Sequence, residues 1–552
     1  MKNLYSLLFI TLCLVFSAIP GHAQWAKALS GVDGTLPTAV VLDGSGNSYV
    51  TGNFTGAMTI NGATVLANSS PGIAIETLFV AKFSPQGALL WIQRATGSGR
   101  SFGEAVAVDG TGNVTVAGSF QGTFTVGSFT LTSTTGAAKE GYVVRYSPLG
   151  VPLAAWKVNS PSGDFACTDV VVDASTNSYV TGTREVVSSG VRTKTSFVRK
   201  YSIQGQQLWA KEGTGTNVSG GHLVLSGTTL IGTGLFAGTA TFSTQSVLTS
   251  PTGQYAVGYD SQTGALQWAY LLGLSSWVTA PAVQADASGF YVANSFSGTL
   301  VLGGTTPLVG RSTYLDGFVA KFSMQGAVQW AQSMRGSGTA SNAATCLSLT
   351  PATGQLVVGG SFQGTCTFGS TTQVTSAGDS DLFAAVYTTQ GMFRGVRRDG
   401  GPASEQALGI AADAAGSAAP VVVGLLRIPQ ATGATTTTLA GTSFTVNATY
   451  NDGFIVRVVA VPLSTRARSH QPSFAMYPNP SAPGPFLIAL PATSTGPSQL
   501  SMLNSLGQEV HHQVILEHSS NALVSVGKLA PGQYVVRLEN QGDVITQMIV
   551  IE

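Results

Sequence analysis

Between residues 24 and 461, apolar and polar positions alternate with a period of two in short runs, broken by turns rich in Gly, Asp, Asn and Ser. This pattern predicts strands, because successive side chains on a strand face opposite sides of the sheet. The stretch from Phe102 to Trp156 shows the order of pieces most clearly. Glu104–Val108 reads as a first strand, Asp109–Asn113 as a turn and Val114–Phe120 as a second strand. After a Gly/Thr-rich segment come a third strand over Gly141–Ser147, a turn at Pro148–Gly150 and a fourth strand bearing Trp156.

The same order returns about seven times. Trp25, Trp91, Trp156, Trp209, Trp268 and Trp330 mark the fourth strand at intervals of 53–66 residues, Gly395 holds a seventh marker position, and Trp277 lies out of register. The first turn opens on Asp43, Asp109, Asp173, Asp286 and Asp413, often closing on Asn or Gly, which is hairpin-turn chemistry. Third strands carry a recurrent cation, Lys82, Arg145, Lys200, Lys321 and Arg457, often after an acid such as Glu140, Asp316 or Asp452. Solvated or inter-unit pairing is the expected role of these cations. Four-stranded units repeated about a centre predict an all-β fold, a seven-bladed β-propeller. The first element, Trp25–Leu29, is of fourth-strand type and the last, Asp452–Val461, of third-strand type, so pairing the two ends would close the array. Six or eight blades is the alternative count.

Composition narrows the class. Charged residues are 9% and the formal net charge is +1, which argues against capture of nucleic acid or an acidic membrane surface. A surface covered by Ser, Thr, Gln, Asn and Gly suits a secreted or cell-surface protein. Lys2, the apolar run Leu4–Ile19 and the small-x-small pattern at Gly21–Ala23 predict a signal peptide over residues 1–23, with an N-terminal membrane anchor as the alternative. No later stretch is long and apolar enough to span a bilayer. Beyond Cys13, the cysteines are Cys167, Cys346 and Cys366, an odd number that suits buried small hydrophobes; a Cys346–Cys366 bridge is the open alternative.

Catalytic constellations are sparse. Only His222 of the six histidines falls in the repeats, where a strand role outweighs that of a general base. No His/Cys cluster has metal spacing, and no cofactor motif is present. Because the turn Asp, the marker Trp and the second-strand Phe residues Phe54, Phe120, Phe236, Phe296 and Phe362 recur through most units, they read as scaffold. Function is expected where repeats differ: the hairpins between second and third strands, and the irregular third and fourth repeats.

The repeat pattern Asp-x-x-Gly-Asn-x-Tyr-Val-x-Gly, followed by Phe-Val-Ala-Lys-Phe-Ser-x-x-Gly-x-x-x-Trp, resembles the bacterial seven-bladed β-propeller repeat family of secreted proteins. That resemblance implies a fold and no settled activity. Residues 462–472 break the repeat and read as a linker, and 473–552 as a separate small Ig-like β-sandwich. This tail resembles the C-terminal sorting domain of the type IX (Por) secretion system of Bacteroidota. The matching residues are Tyr477, Pro478, Asn479 and Pro480, then Gly507 before Val510, then Leu529, Gly532 and Tyr534. Asn504 stands where the family usually has Asp, Gln508 where it has Lys, and the chain ends Gln547–Glu552 without the frequent Lys. The resemblance implies the type IX machinery as a partner, carriage through the periplasm to the outer surface, and release or attachment to a surface polysaccharide.

Two readings of function follow. The first is a non-enzymatic, monomeric interaction module for an extracellular glycan or protein. The second is a secreted hydrolase or lyase with a site near the propeller axis, which requires two or three acids, or His222 with an acid, converging in one pocket.

Overall fold

The computed structural model describes residues 24–458 except 32, 68–74, 135–138, 159–162, 245, 275–278, 303–306, 338, 351, 413–418, 428–434 and 447–450. In the tail it describes 475–477, 479, 484–489, 498–504, 508–515, 521–527, 529–540 and 543–551. The signal segment, the linker, Trp277 and the Asp413 turn lie outside the described residues. Two compact bodies divide the chain, Met1–Leu463 and Ser464–Glu552.

Every regular element among the described residues is a strand. In the first body the strands form antiparallel meanders of four, giving a propeller-like fold. The sheet of Ser101–Val108, Val114–Phe120, Glu140–Tyr146 and Pro152–Val158 is representative. Its second and third strands are buried throughout, so both faces are packed and the runs read Val-Thr-Val-Ala and Tyr-Val-Val without a solvated side. One sheet joins distant parts of the chain. Trp25–Gly31 pairs with Asp452–Arg457, placing Trp25 opposite Arg457 and Leu29 opposite Gly453.

The Asp turns hold their own meander. Asp43 Oδ1 accepts the backbone N–H groups of Ser45 and Asn47, both at 2.9 Å, and Oδ2 accepts the Asn47 amide at 2.8 Å and the Tyr49 hydroxyl at 3.0 Å. Burial works to raise the Asp43 carboxyl, but these hydrogen bonds outweigh it and hold the group below its ordinary range. Three of the recurrent cations are largely shielded from solvent and pair within their own unit. Lys82, Arg145 and Lys200 lie 3.8, 3.7 and 3.7 Å from Asp43, Asp109 and Asp173. Their link to the next unit is through backbone: Lys82 Nζ donates to Pro148 O at 3.4 Å and Lys200 Nζ to Ser261 O at 3.1 Å. A third-strand Lys therefore ties one turn Asp to the following turn's carbonyl. Of the two expected roles, solvation gives way because the packed sheets leave the third strand no wet face, and a link to the next unit is what Lys82 and Lys200 make.

Each tryptophan marker also reaches the following unit. Trp91, Trp209 and Trp330 donate Nε1–H to Pro148 O, Ser261 O and Thr389 O at 3.0, 3.2 and 3.0 Å. Their rings cover Gly150, Gly264 and Gly391, which hold left-handed φ values of +79°, +68° and +85°. Trp268 departs from this pattern. It faces Gly258 of its own sheet, and Tyr270, two residues on, covers Gly326 instead. Gly395 needs no ring, because the next sheet joins Asp452–Arg457 to Trp25–Gly31 without a Gly turn between them.

Three of the hairpins between second and third strands serve the scaffold as well. Met58–Ile60 pairs with the outer strand Trp25–Gly31, setting Ile60 opposite Leu29. Thr365–Phe368 pairs in the same way with Val328–Gly336, and Thr241 lies opposite Thr214. Each of these hairpins crosses to the preceding sheet and covers an edge that would otherwise offer free N–H and C=O groups. In these three units the hairpin therefore has an edge-protecting role.

Cys167, Cys346 and Cys366 are buried and free, so the Cys346–Cys366 bridge does not form. The two belong to different core clusters, Cys346 with Ile410 and Val422, Cys366 with Phe362 and Phe368.

The second body has two sheets around one core. One runs Ala475–Tyr477, Phe486–Ala489, Asn521–Val524; the other runs Glu509–Ile515, Ser498–Leu503, Gly532–Asn540, Asp543–Ile551. Phe486, Ile488, Leu500, Met502, Val536 and Ile549 fill the space between them.

Candidate functional site

The first strands of the meanders, among them Thr35–Leu42, Ser101–Val108, Asp164–Val172, Ser219–Ser226 and Ala343–Thr350, line an inner cavity of about 470 Å³. Most of its wall is Ala, Val and Leu. Several of these strands carry a bulge near their start, where one residue falls out of register with the second strand. Thr38, Glu104, Thr168, Thr345 and Leu408 occupy the bulges between Pro37 and Ala39, Gly103 and Ala105, Cys167 and Asp169, Ala344 and Cys346, and Ala407 and Gly409.

Threonine at a bulge has a structural task. Thr38, Thr168 and Thr345 donate their hydroxyls to Gly103 O, Gly221 O and Ala407 O at 2.6, 2.8 and 2.7 Å, each on the next first strand. Glu104 stands where these threonines stand, and among the described residues its carboxyl receives no side-chain or backbone hydrogen bond. Burial pushes the Glu104 carboxyl up to about 7, against the opposing pull of the Lys139 ammonium.

A second departure adjoins it. Asp169 occupies the position held by Ala39, Ala105, Cys346 and Gly409 in other strands. Its Oδ2 accepts Leu223 N–H at 2.8 Å and lies 3.5 Å from His222 Nδ1 on the neighbouring strand. The His222 side chain is 42% exposed, so its far edge is open. The structure thus brings His222 and an acid together on one cavity, with Glu104 on the same wall. Among the described residues no three His, Cys, Asp or Glu side chains are close enough to hold a metal.

Neither Glu104 nor Asp169 stands out in the sequence. Each is detectable only by aligning the bulge positions, which requires the strand register. The turn acids Asp43, Asp109, Asp173 and Asp286 are kept away from the cavity by their engagement in hairpins.

In the tail, Asn479 Oδ1 accepts Val550 N–H at 3.0 Å, fastening the first motif to the last strand. Leu529 packs on the core, Gly532 opens the strand Gly532–Asn540, and the buried Tyr534 donates its hydroxyl to Ala530 O at 2.7 Å. The two central departures from the family pattern satisfy each other: Asn504 Nδ2 donates to Gln508 Oε1 at 3.1 Å, and Gln508 N–H donates to Asn504 Oδ1 at 3.0 Å. Tyr477 lies in the strand Ala475–Tyr477; Pro478, Pro480 and Gly507 fall outside the described residues.

Residues 475–552 match the family described as the secretion system C-terminal sorting domain. The tail is thus a sorting module for type IX export, which implies interaction with that machinery and delivery to the cell surface or beyond. No curated protein matches the chain. Similar solved structures include the plexin A4 extracellular region, 8% identical with a TM-score of 0.37 over 95% of this chain and 62% of that one. They also include an apocarotenoid oxygenase mutant of Synechocystis, 9% identical with a TM-score of 0.31 over 67% of this chain and 89% of the other. A europium-containing methanol dehydrogenase is 10% identical with a TM-score of 0.30, over 75% and 87%. The chain spans about 62% of the plexin structure's length. Likenesses at this level bear on no functional claim. Among the described residues no helix is long and apolar enough to cross a membrane.

Proposed function

We propose that the chain is a secreted or outer-surface interaction module that binds an extracellular glycan or protein without catalysis. Its body is a seven-bladed β-propeller closed by its two ends and acting as a monomer without a cofactor, and its tail is an Ig-like sandwich. The blade reading is supported by the Trp25–Gly31 pairing and by the strand Thr35–Leu42, which lies beside both Ser101–Val108 and Ser404–Ala411. The observation that carries the non-enzymatic reading is the engagement of the recurrent polar groups: turn Asp, third-strand cation and bulge Thr each satisfy scaffold groups. Attachment to a surface polysaccharide after export belongs to the same reading.

The hydrolase or lyase reading has one specific observation in its favour, the His222–Asp169 pair and Glu104 on a shared cavity. A glycan and extracellular-matrix binding screen with the mature chain, run beside a reducing-end assay on the same polysaccharides, separates the two. Saturable binding with no product supports the interaction module. Product release that disappears in His222→Ala establishes the enzyme instead. For export, deleting residues 477–552 leaves the protein in the periplasm; unchanged surface display of that truncation would refute the role of the tail.

A further inference from the structure

The hairpin of Thr435–Leu439 and Thr442–Val446 forms a two-stranded sheet of its own. Where Met58–Ile60 and Thr365–Phe368 join a neighbouring outer strand by backbone pairing, this hairpin is fastened by acidic side chains. Ala440 at its turn donates N–H to the two oxygens of Asp399 at 3.1 and 3.0 Å, and the buried Thr437 donates its hydroxyl to Glu405 Oε1. Leu439 and Phe444 share an apolar cluster with Ala26, Phe454 and Val456, so the hairpin covers the sheet in which Trp25–Gly31 meets Asp452–Arg457.

Glu405 is not part of the common frame. Three residues ahead of the bulge, four other first strands have Thr35, Ser101, Phe165 and Asn342, none of them ionisable. At Glu405 a fully buried carboxyl instead meets Asp381, which is fully buried too. Asp316, the counterpart of Asp381 at the head of its third strand, uses both oxygens: Oδ1 accepts Gly336 N–H and Oδ2 accepts Arg311 N–H, each at 2.9 Å. Asp381 takes Ala377 N–H at 2.8 Å and the Arg398 guanidinium on Oδ2, and its buried Oδ1 has no donor among the described residues. That oxygen and Glu405 Oε2 lie 3.0 and 2.6 Å from the point where a Cβ on Gly400 would stand. An unbonded carboxylate oxygen is thus turned to the same dry space as Glu405, where a second negative charge is costly.

We propose that Glu405 is a proton-operated latch: protonated, it lets the hairpin close beside the Asp381 carboxylate, and ionised, it drives the hairpin open. Around it, Asp381 and Asp399 are the acids and Arg397 and Arg398 the cations, with Arg398 committed to Asp381. Asp452 stands in the same row two strands across, and Arg427 on the intervening strand is turned to Asn451. The strands Thr35–Leu42, Ala343–Thr350 and Gln355–Phe362, packed on Ser404–Ala411 from the other sides, have no charged residue, and neither has the hairpin. Burial is the main force pushing the Glu405 carboxyl up to about 7, and the Asp381 charge adds to it. An open hairpin returns the carboxyl to water and to its ordinary value of 4.5. The closed form therefore holds the extra proton; its advantage is complete below about pH 4.5 and is lost as pH rises through about 7. Between pH 5 and pH 8 the opening constant rises by roughly 50- to 100-fold. The device is independent of what the protein binds.

Amide hydrogen exchange of the mature chain, residues 24–552, at pH 5 and pH 8 tests this, with rates corrected for the base catalysis of exchange itself. Protection of residues 436–445 should fall by roughly 50- to 100-fold at pH 8, while Glu140–Tyr146 keeps its protection. Glu405→Gln retains the oxygen that accepts the Thr437 hydroxyl and removes the ionisation, so the hairpin stays protected at both pH values. Glu405→Ser installs the residue of the sibling position Ser101 and is the second variant, with an equally flat response. Equal wild-type protection at the two pH values, a loss spread evenly over the first body, or a pH response kept by both variants would overturn the latch.

Discussion

Trp91 lies on Gly150 of the next unit: a Cβ built at Gly150 would stand 2.7 Å from Trp91 Cδ2. The same indole donates its N–H to Pro148 O at 3.0 Å, so the turn and the ring are matched by both shape and hydrogen bond. The glycine is required twice, once for its φ of +79° and once for the ring that covers it. Gly150→Ala should destabilise the first body by about 2–3 kcal/mol, combining the left-handed backbone penalty with overpacking. Urea unfolding followed by tryptophan fluorescence measures it, and a loss under about 0.5 kcal/mol would remove the ring contact from the account.

Glu405 supplies a pH dependence. It is fully buried, accepts the Thr437 hydroxyl at 2.5 Å and Gly401 N–H at 3.3 Å, and burial pushes its carboxyl up to about 7. Asp381 adds a repulsive charge in the same direction. Because the folded-state value lies above the unfolded one, the folded state holds an extra proton between about pH 4.5 and 7. Stability from this group is therefore present at low pH and declines as pH rises through that window, by an amount on the order of 3 kcal/mol. In Glu405→Gln the decline should shrink by that amount in unfolding measured from pH 5 to pH 8. Glu104 contributes a slope of the same sign to both proteins, and the difference isolates Glu405.

The three cysteines should be silent toward thiol reagents in the folded protein. Burial pushes the thiols of Cys167, Cys346 and Cys366 up to about 12, so little thiolate exists at neutral pH. Titration with a chromogenic disulfide should find no reactive thiol in native protein and three in denaturant. Rapid native labelling would place at least one of them at an accessible surface.

Asn479 should control the end of the tail. Its side chain accepts Val550 N–H at 3.0 Å, and Asn479→Ala removes that acceptor. Amide exchange at Val550 should accelerate about fivefold, corresponding to roughly 1 kcal/mol for a lost hydrogen bond. Exchange unchanged at Val550 would show that the strand is held by its pairing with Gly532–Asn540 alone.

Much of the frame was legible in the chain because its elements are local and repeated. The Asp43 and Asp109 turns close within five residues, and Phe79–Phe83 is a short apolar run of Phe, Val and Ala broken by one Lys, so turn chemistry and strand character are visible without a partner strand. The sorting motifs were readable for the same reason, as short strings with fixed order. The tryptophans were read as scaffold, but not that Tyr270 replaces Trp268 over Gly326, since that depends on a two-residue difference in pairing. The link of the cations to the next unit was anticipated, but their burial was not, because it depends on the strands packed around them.

What the sequence determined by itself was the succession of strands and turns, the divided chain and the export tail, all set by near-neighbour chemistry. Only the tertiary structure decided that Glu104, Asp169 and His222, dispersed through three repeats, line one cavity, and that three of the hairpins are edge covers. The reason is physical: which face a bulged strand presents is fixed by its register against a second strand, and the register comes from the packing of the whole sheet.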